Sequence, residues 1–343
     1  MKKVLITGGA GFIGSNLIKV LQGSEITVID NLHSQIHGDP LCSESYLSIK
    51  EKCNLIRGDV SDELAWKDLK GQNFDCIYLL AAETGTGQSM MESQRHVRTN
   101  VLSVSLLNDM INREEISADK IVLASSRAVY GTSAVGSDGS LIPSKETDEA
   151  RPTSIYGATK LAQENICMAG FQKSSVTVLR LQNVYGPGQS LINPYTGILS
   201  IFFSAIRAEK SISVFSDGLM TRDFVYIDDA VSALVRAGSD PSDREIYNVG
   251  SGRSTTVLKV AQTLISLCSS SSEIIVSGEE LRGDIRHNLA DLTKSRKWGY
   301  EPQTFFDEGC RKFFAWALES ETAASSYHDS LSLLRKTGIL KKV

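Results

Sequence analysis

Tyr156, Lys160 and Ser126, with a glycine-rich turn near the N-terminus, are the residues whose types and spacing can do chemistry together. Tyr156 and Lys160 fall on one face of any helix through Tyr156-Gly157-Ala158-Thr159-Lys160. There the ammonium can lower the phenol pKa from its ordinary value of about 10, which makes a useful base near neutral pH. Ser126 closes the apolar run that ends in Ala124-Ser125-Ser126. That sets a hydroxyl at the carboxyl end of a strand, where open α/β sheets bind ligands. The same serine can equally cap a following helix.

The turn Gly8-Gly9-Ala10-Gly11-Phe12-Ile13-Gly14 follows the strand-like Val4 to Thr7 and opens a helical pattern. It satisfies G-x-G-x-x-G through Gly9, Gly11 and Gly14, and G-x-x-G-x-x-G through Gly8, Gly11 and Gly14. In that setting the glycines let a pyrophosphate approach backbone N–H groups at the positive end of the helix dipole. Asp30 ends the second strand, roughly 20 residues on, where an acid accepts hydrogen bonds from the adenosine ribose. A 2′-phosphate would meet a like charge there, and Asn31-Leu32 supplies no cation, so NAD is favoured over NADP. Asp59-Val60 follows the third strand where adenine can be contacted, although an aspartate closing a strand is as often a cap. A tyrosine and lysine four apart are common by chance; with Ser126 and this loop they describe a hydride-transfer site.

These residues need a scaffold, and the chain has the rhythm of one. Apolar β-branched runs (Val4 to Thr7, Glu25 to Ile29, Leu55 to Arg57, Ile77 to Leu80, Ile121 to Leu123, Val176 to Leu181) alternate with helical patterns at Phe12 to Gln22, Glu92 to Arg113 and Ser154 to Gln172. Continuous apolar strands are those buried on both faces. The fold class expected is α/β, a Rossmann-type doubly wound parallel sheet with a smaller α/β substrate-binding lobe. Residues 1–183 with 221–251 make the NAD-binding part, with Asp223 to Ala237 and Ile246 to Val249 returning to the main sheet. Residues 184–220 with 252–320 make the lobe, which includes a helix at Ile198 to Ala208 and a strand at Ile212 to Phe215. Residues 321–343 form a tail, with a short amphipathic helix at Ser326 to Lys336.

Composition narrows the partners. A chain of 343 residues with net charge −4 has no basic excess for nucleic acid, and its apolar runs are too short to span a bilayer. Met1-Lys2-Lys3 runs straight into the first strand, leaving no room for a cleavable leader, so the reading is cytoplasmic. The six cysteines show no C-x-x-C spacing and the five histidines no metal-ligand spacing, so no metal is expected.

The order of motifs resembles the extended short-chain dehydrogenase/reductase family, the NAD-dependent nucleotide-sugar epimerases and dehydratases. The likeness runs from Lys2 to about Trp316. It rests on Thr7 to Gly14, Asp30-Asn31-Leu32, Gly58-Asp59-Val60, Leu80-Ala81-Ala82, Ser125 to Gly131, Tyr156 with Lys160, Arg180 to Gly188, Arg222-Asp223-Phe224-Val225, Tyr247 to Gly250 and Arg282-Gly283-Asp284. The resemblance implies that Tyr156 takes the proton of a sugar hydroxyl, Lys160 holds the nicotinamide ribose and depresses the tyrosine pKa, and Ser126 bonds the reacting oxygen. It implies cofactor contacts at Gly8, Gly11, Phe12, Ile13, Gly14, Asp30, Asn31, Asp59, Val60, Leu80, Ala81, Ala82 and Asn100, besides Tyr156 and Lys160. Asn100 reads almost as well as a structural amide. Substrate contacts are implied at Thr84, Ser126 and Arg127, and diphosphate contacts at Asn183, Arg222 and Arg282.

The family's 4,6-dehydratases carry an Asp-Glu pair after the catalytic hydroxyl residue; here Arg127-Ala128 stands there and cannot do carboxylate acid/base work. The resemblance therefore implies a 4-epimerase. Ala82 to Met90, Ser126 to Gly131, Gly186 to Gly197 and Gly283 to His287 are most similar to the branch acting on dTDP-L-rhamnose. A UDP-hexose or UDP-N-acetylhexosamine 4-epimerase is the alternative, and a silent dinucleotide-binding protein is the reading from another class. Family members pair through two long helices each, so a homodimer through Glu92 to Arg113 and Ser154 to Gln172 is implied.

Overall fold

The computed structural model describes residues 1–195, 197–320 and 327–342. Thr196, in one of the motifs above, and Ser326, the first residue of the expected tail helix, lie outside them. Six strands follow one another through the first half: β1 (Lys3–Thr7), β2 (Glu25–Asp30), β3 (Asn54–Arg57), β4 (Gln72–Leu79), β5 (Ile116–Ser126) and β6 (Ser175–Leu181). Beyond them lie β7 (Asn183–Tyr185), β8 (Ile212–Val214), β9 (Thr221–Tyr226), β10 (Glu245–Val249), β11 (Ser254–Thr256), β12 (Ile274–Val276), β13 (Glu279–Leu281) and β14 (Leu340–Lys342). The main sheet is parallel throughout, in the order β10-β6-β5-β4-β1-β2-β3. Its order reverses between β1 and β4, where Val4 pairs with Cys76 and Thr7 with Leu79. A crevice opens at the carboxyl ends of strands at such a switch point.

Helices cover both faces. Longer ones are α1 (Phe12–Val20), α2 (Ser103–Asn112), α3 (Ile155–Gly170), α4 (Ile198–Arg207), α5 (Ile227–Ser239), α6 (Val257–Cys268), α7 (Phe306–Glu319) and α8 (Tyr327–Lys336). One face of the sheet buries Trp66, Phe74, Leu107 and Phe171, and the other joins Leu17, Val28 and Leu234 to the aromatic core of the smaller lobe. The helix expected over Glu92 to Arg113 is continuous but not uniform: Ser93–His96 passes into a π-helical stretch, Val97–Leu102, before α2. Such bulges frequently accompany functional sites, and this one carries the buried Asn100.

The return of residues 223–237 to the main sheet is only half realised. β9 leaves it and pairs with β7 and β11 in a separate three-stranded sheet, while α5 packs on β5 and β6. β10 does rejoin, along β6. The tail is more than a helix: after α8, β14 pairs antiparallel with β13, Leu340 against Leu281. Among the described residues no helix is long and apolar enough to cross a membrane.

A buried ionic knot fixes the two elements that matter most for the site. Glu164 of α3 takes the Arg180 guanidinium of β6 at 2.7 Å and the Ser125 hydroxyl of β5. Arg180 also lies over the Tyr130 ring, 4.7 Å from its centroid. Removing one partner of such a pair leaves an uncompensated charge, so this contact sets how α3 docks on β5.

Candidate active site

One long cavity runs along the switch-point crevice into the smaller lobe. Of the residues read from the sequence it is lined by Gly8, Gly11, Phe12, Ile13, Gly14, Asp30, Asn31, Val60, Leu80, Ala81, Ala82, Thr84, Ser126, Arg127, Tyr156, Asn183 and Arg222. Asp59, Asn100, Lys160 and Arg282 are not on its surface.

At one end the backbone is pressed close. Gly8 has φ +70°, and a β-carbon there would meet Ala81 N at 2.6 Å; one at Gly14 would meet the Gly8 carbonyl at 2.6 Å. Only glycine permits both the left-handed turn and the tight start of α1. Gly11 caps α1 without a side-chain bond, and first-turn N–H groups have no acceptor within a helix. Asp30 is held rigidly, accepting from Ala10 N at 3.0 Å and Leu32 N at 2.8 Å. A glycine cradle, free helix N–H groups and a fixed carboxylate fit the pyrophosphate and ribose of NAD.

Ser126 ends β5, and its hydroxyl makes two contacts. It caps the turn that follows, accepting from Ala128 N at 3.2 Å, and it hydrogen-bonds Tyr156. Tyr156 lies in the first turn of α3, which Ser154 caps by accepting from Gly157 N at 3.1 Å. Burial raises the Tyr156 pKa above its ordinary value; the Ser126 hydrogen bond and the charge of Arg127 pull it back.

The charge that pulls on the phenol in this structure is that of Arg127. Lys160 sits one turn further along α3, fully buried, with Nζ donating to Ala124 O at 2.9 Å. Burial pushes its ammonium down to about 8.

Farther along the cavity two guanidinium groups approach each other. Arg222, from β9, grips Asp284 with Nη2 at 2.9 and 3.0 Å and donates through Nη1 to Thr221 O at 2.8 Å. Burial and the Arg222 charge both lower the Arg127 pKa. Its Nη1 is buried with no hydrogen-bond partner, and so are Asn183 Oδ1 and both amide atoms of Gln182. Orphaned polar atoms are costly, and here they share one cavity wall, which is what a site built for a polar, anionic ligand looks like.

The other three residues off the cavity surface have different placements. Asn100 is the structural amide: Oδ1 accepts from Glu83 N at 2.8 Å while Nδ2 donates to Glu83 O and Thr159 Oγ1, tying the loop after β4 to α3. Asp59 caps its own turn by accepting from Ser61 N and Oγ. Arg282 is exposed, and its backbone N donates to Ile339 O of the tail at 2.8 Å. Sequence reasoning gave no role to Gln182 or to His37, whose Nε2 lies 3.9 Å from Asp30 Oδ1. Gln182 sat inside a quoted motif, and only its burial at the end of β6 singles it out.

Comparison with known proteins agrees with this geometry. Residues 4–250 match the model of the NAD dependent epimerase/dehydratase family. The chain is 40% identical over 350 aligned positions to the dTDP-L-rhamnose 4-epimerase of Burkholderia thailandensis, covering 93% of this chain and 95% of that one. Among solved structures it is similar to the Thermus thermophilus UDP-glucose 4-epimerase in complex with NAD, with TM-score 0.80, 26% identity, and 93% and 99% of the two chains covered. MoeE5 in complex with UDP-glucuronic acid and NAD gives TM-score 0.78 at 28% identity, covering 93% and 99%. With its parallel sheet, glycine cradle and Ser-Tyr-Lys set, the chain belongs to the NAD dependent epimerase/dehydratase family and is an NAD-dependent enzyme.

Proposed function

We propose that this enzyme inverts C4 of a nucleotide sugar, with dTDP-L-rhamnose as the substrate. The observation that carries the proposal is Arg127-Ala128 beside Tyr156 in a site of this family: a phenol base is present and the acidic pair that eliminates water is absent. Its agreement with the 40% identical relative, itself a dTDP-L-rhamnose 4-epimerase, supports the choice of sugar.

NAD, when bound, would supply a hydride acceptor for C4 that is regenerated in each turnover, so no external oxidant would be consumed. Tyr156 takes the proton of the C4 hydroxyl, Ser126 holds the same oxygen, and Lys160 secures the ribose side of the site. The resulting 4-keto sugar turns over between the walls of the cavity, and Tyr156 gives the proton back. Arg127, Asn183 and Arg222 hold the diphosphate and sugar. Residues 1–183 with 221–251 bind the cofactor, and 184–220 with 252–320 bind the sugar nucleotide.

The enzyme works in the cytoplasm as a homodimer. Support for the dimer comes from Val97 and Leu102, which expose 47% and 50% of their surface on the helical stretch beside α3. Large apolar side chains so placed favour a partner surface.

Conversion in deuterated water tests the chemistry. Hydride return yields the C4 epimer with protium retained at C4, C3 and C5. Deuterium in the ring would mean enolisation, and a Tyr156→Phe variant as fast as the parent would remove the base assignment. The expected loss for that variant is about 10²–10⁴-fold in kcat.

A further inference from the structure

The C-terminal segment, whose part in the molecule could not be read from sequence, forms a wall of the cavity. Ser330, Leu331 and Leu334 of α8 line it, and Leu331 and Leu334 are only 3% and 6% exposed. Three contacts fasten this helix to the smaller lobe. Arg335 makes a two-pronged ion pair with Glu279 at 2.7 and 2.7 Å, β14 zips onto β13, and Ile339 O accepts from Arg282 N.

On its inner side α8 bridges the two halves of the molecule. Leu331 and Leu334 pack with Ile201, Phe215 and Leu281 of the lobe and with Met90 and Met91 of the loop after β4. Leu334 Cδ2 comes within 3.5 Å of where a β-carbon on Gly87 would stand, three residues beyond the cavity residue Thr84.

The position of this wall assigns its ligand. From Tyr156 the cavity runs one way to the glycine cradle and Asp30, which fit the cofactor. The same cavity is lined by Arg127 and Arg222 and by an apolar group from the smaller lobe and α8, Leu199, Phe202, Phe215, Met220, Leu281 and Leu334. With a sugar at Tyr156 and its diphosphate at the guanidiniums, this apolar group is the surface offered to the nucleoside. Side chains of Leu and Met offer nothing to a ring edge bearing only hydrogen but bury a methyl group favourably.

We propose that α8 is a substrate-specificity element: Leu331 and Leu334 form the wall against the nucleobase, and they select thymine, through its 5-methyl group, over uracil. This rests on the nucleotide-sugar reading above and adds to it which residues choose the base.

The test is calorimetric titration of the full NAD-loaded chain with dTDP and with UDP. The parent protein is expected to bind dTDP about tenfold more tightly than UDP. Leu334→Asn and Leu331→Asn should lose that preference, the ratio falling to about one, with the bound NAD retained. Glu279→Ala, which removes the Arg335 ion pair holding α8 and lies outside the cavity lining, should lower the dTDP-over-UDP ratio with the bound NAD retained. It decides the matter should the leucine variants fail to fold.

Leucine variants that fold, keep NAD and bind dTDP as the parent does would overturn the role of α8. Equal affinity of the parent for dTDP and UDP would overturn the selection of thymine. A parent protein that keeps NAD but binds neither diphosphate would sink the nucleotide-sugar reading itself, and this inference with it.

Discussion

Arg127 concentrates what is specific to this site. Its guanidinium lies beside Tyr156, has an unpartnered buried N–H, and faces a second arginine. A cation favours the phenolate, so removing it raises the Tyr156 pKa and the base is lost at higher pH. Arg127→Ala should therefore shift the acidic limb of the kcat/KM profile upward. Near pH 7 the rate should be about tenfold lower, recovering at alkaline pH, with Arg127→Lys in between. Coincident profiles would show that Arg127 does not act on the base.

Lys160 carries the opposite sign. Its folded-state pKa is depressed to about 8, against an unfolded value near 10.4. Between those values the unfolded chain holds the extra proton, so this residue's contribution to stability rises with pH across that window and is least favourable below it. Burial of the charge costs ~3 kcal/mol at pH 7, less ~1 kcal/mol for the Ala124 hydrogen bond. Lys160→Met should accordingly be inactive yet more stable than the parent by ~2 kcal/mol at pH 7, the gain shrinking as pH rises above about 8 and gone by about pH 10.4. Urea midpoints at the two pH values check this. The chemistry-bearing residues were legible because their types are few and their spacing is helical. Their partners were not: nothing in the order of residues says that Lys160 bonds Ala124 or that the charge of Arg127 acts on Tyr156.

Among the elements, the glycine turn and α3 do the positioning. Gly14→Ala forces a methyl against the Gly8 carbonyl, so the loop must move. The variant should purify without NAD and lose about 1–3 kcal/mol of stability. Glu164→Ala strands Arg180 in the core and should cost about 3–5 kcal/mol, read from its urea midpoint, with activity falling as α3 shifts on β5. Strands of the main sheet were visible in sequence as apolar runs because both of their faces are buried. Shorter ones escaped for a physical reason: β7, β11, β13 and β14 are three residues long, and their pairing depends on distant partners rather than on local pattern. The π-helical stretch likewise leaves no period of its own. Asn100 shows it only through the loop it clamps.

At the scale of the whole molecule, the glycine cradle, Tyr156, the two arginines and the tail helix all line one cavity. Val97 and Leu102 should lie in the dimer interface, so a Val97→Glu, Leu102→Glu variant is expected to scatter light as a monomer while the parent scatters as a dimer. A parent monomer would refute the pairing. The central claim, inversion at C4, is met most directly by proton NMR of the NAD-loaded protein with dTDP-L-rhamnose and, in parallel, UDP-glucose. The account predicts an equilibrium mixture of dTDP-L-rhamnose and its C4 epimer, with UDP-glucose unchanged. Inversion of UDP-glucose alone, or accumulation of a 4-keto product without inversion, would contradict it.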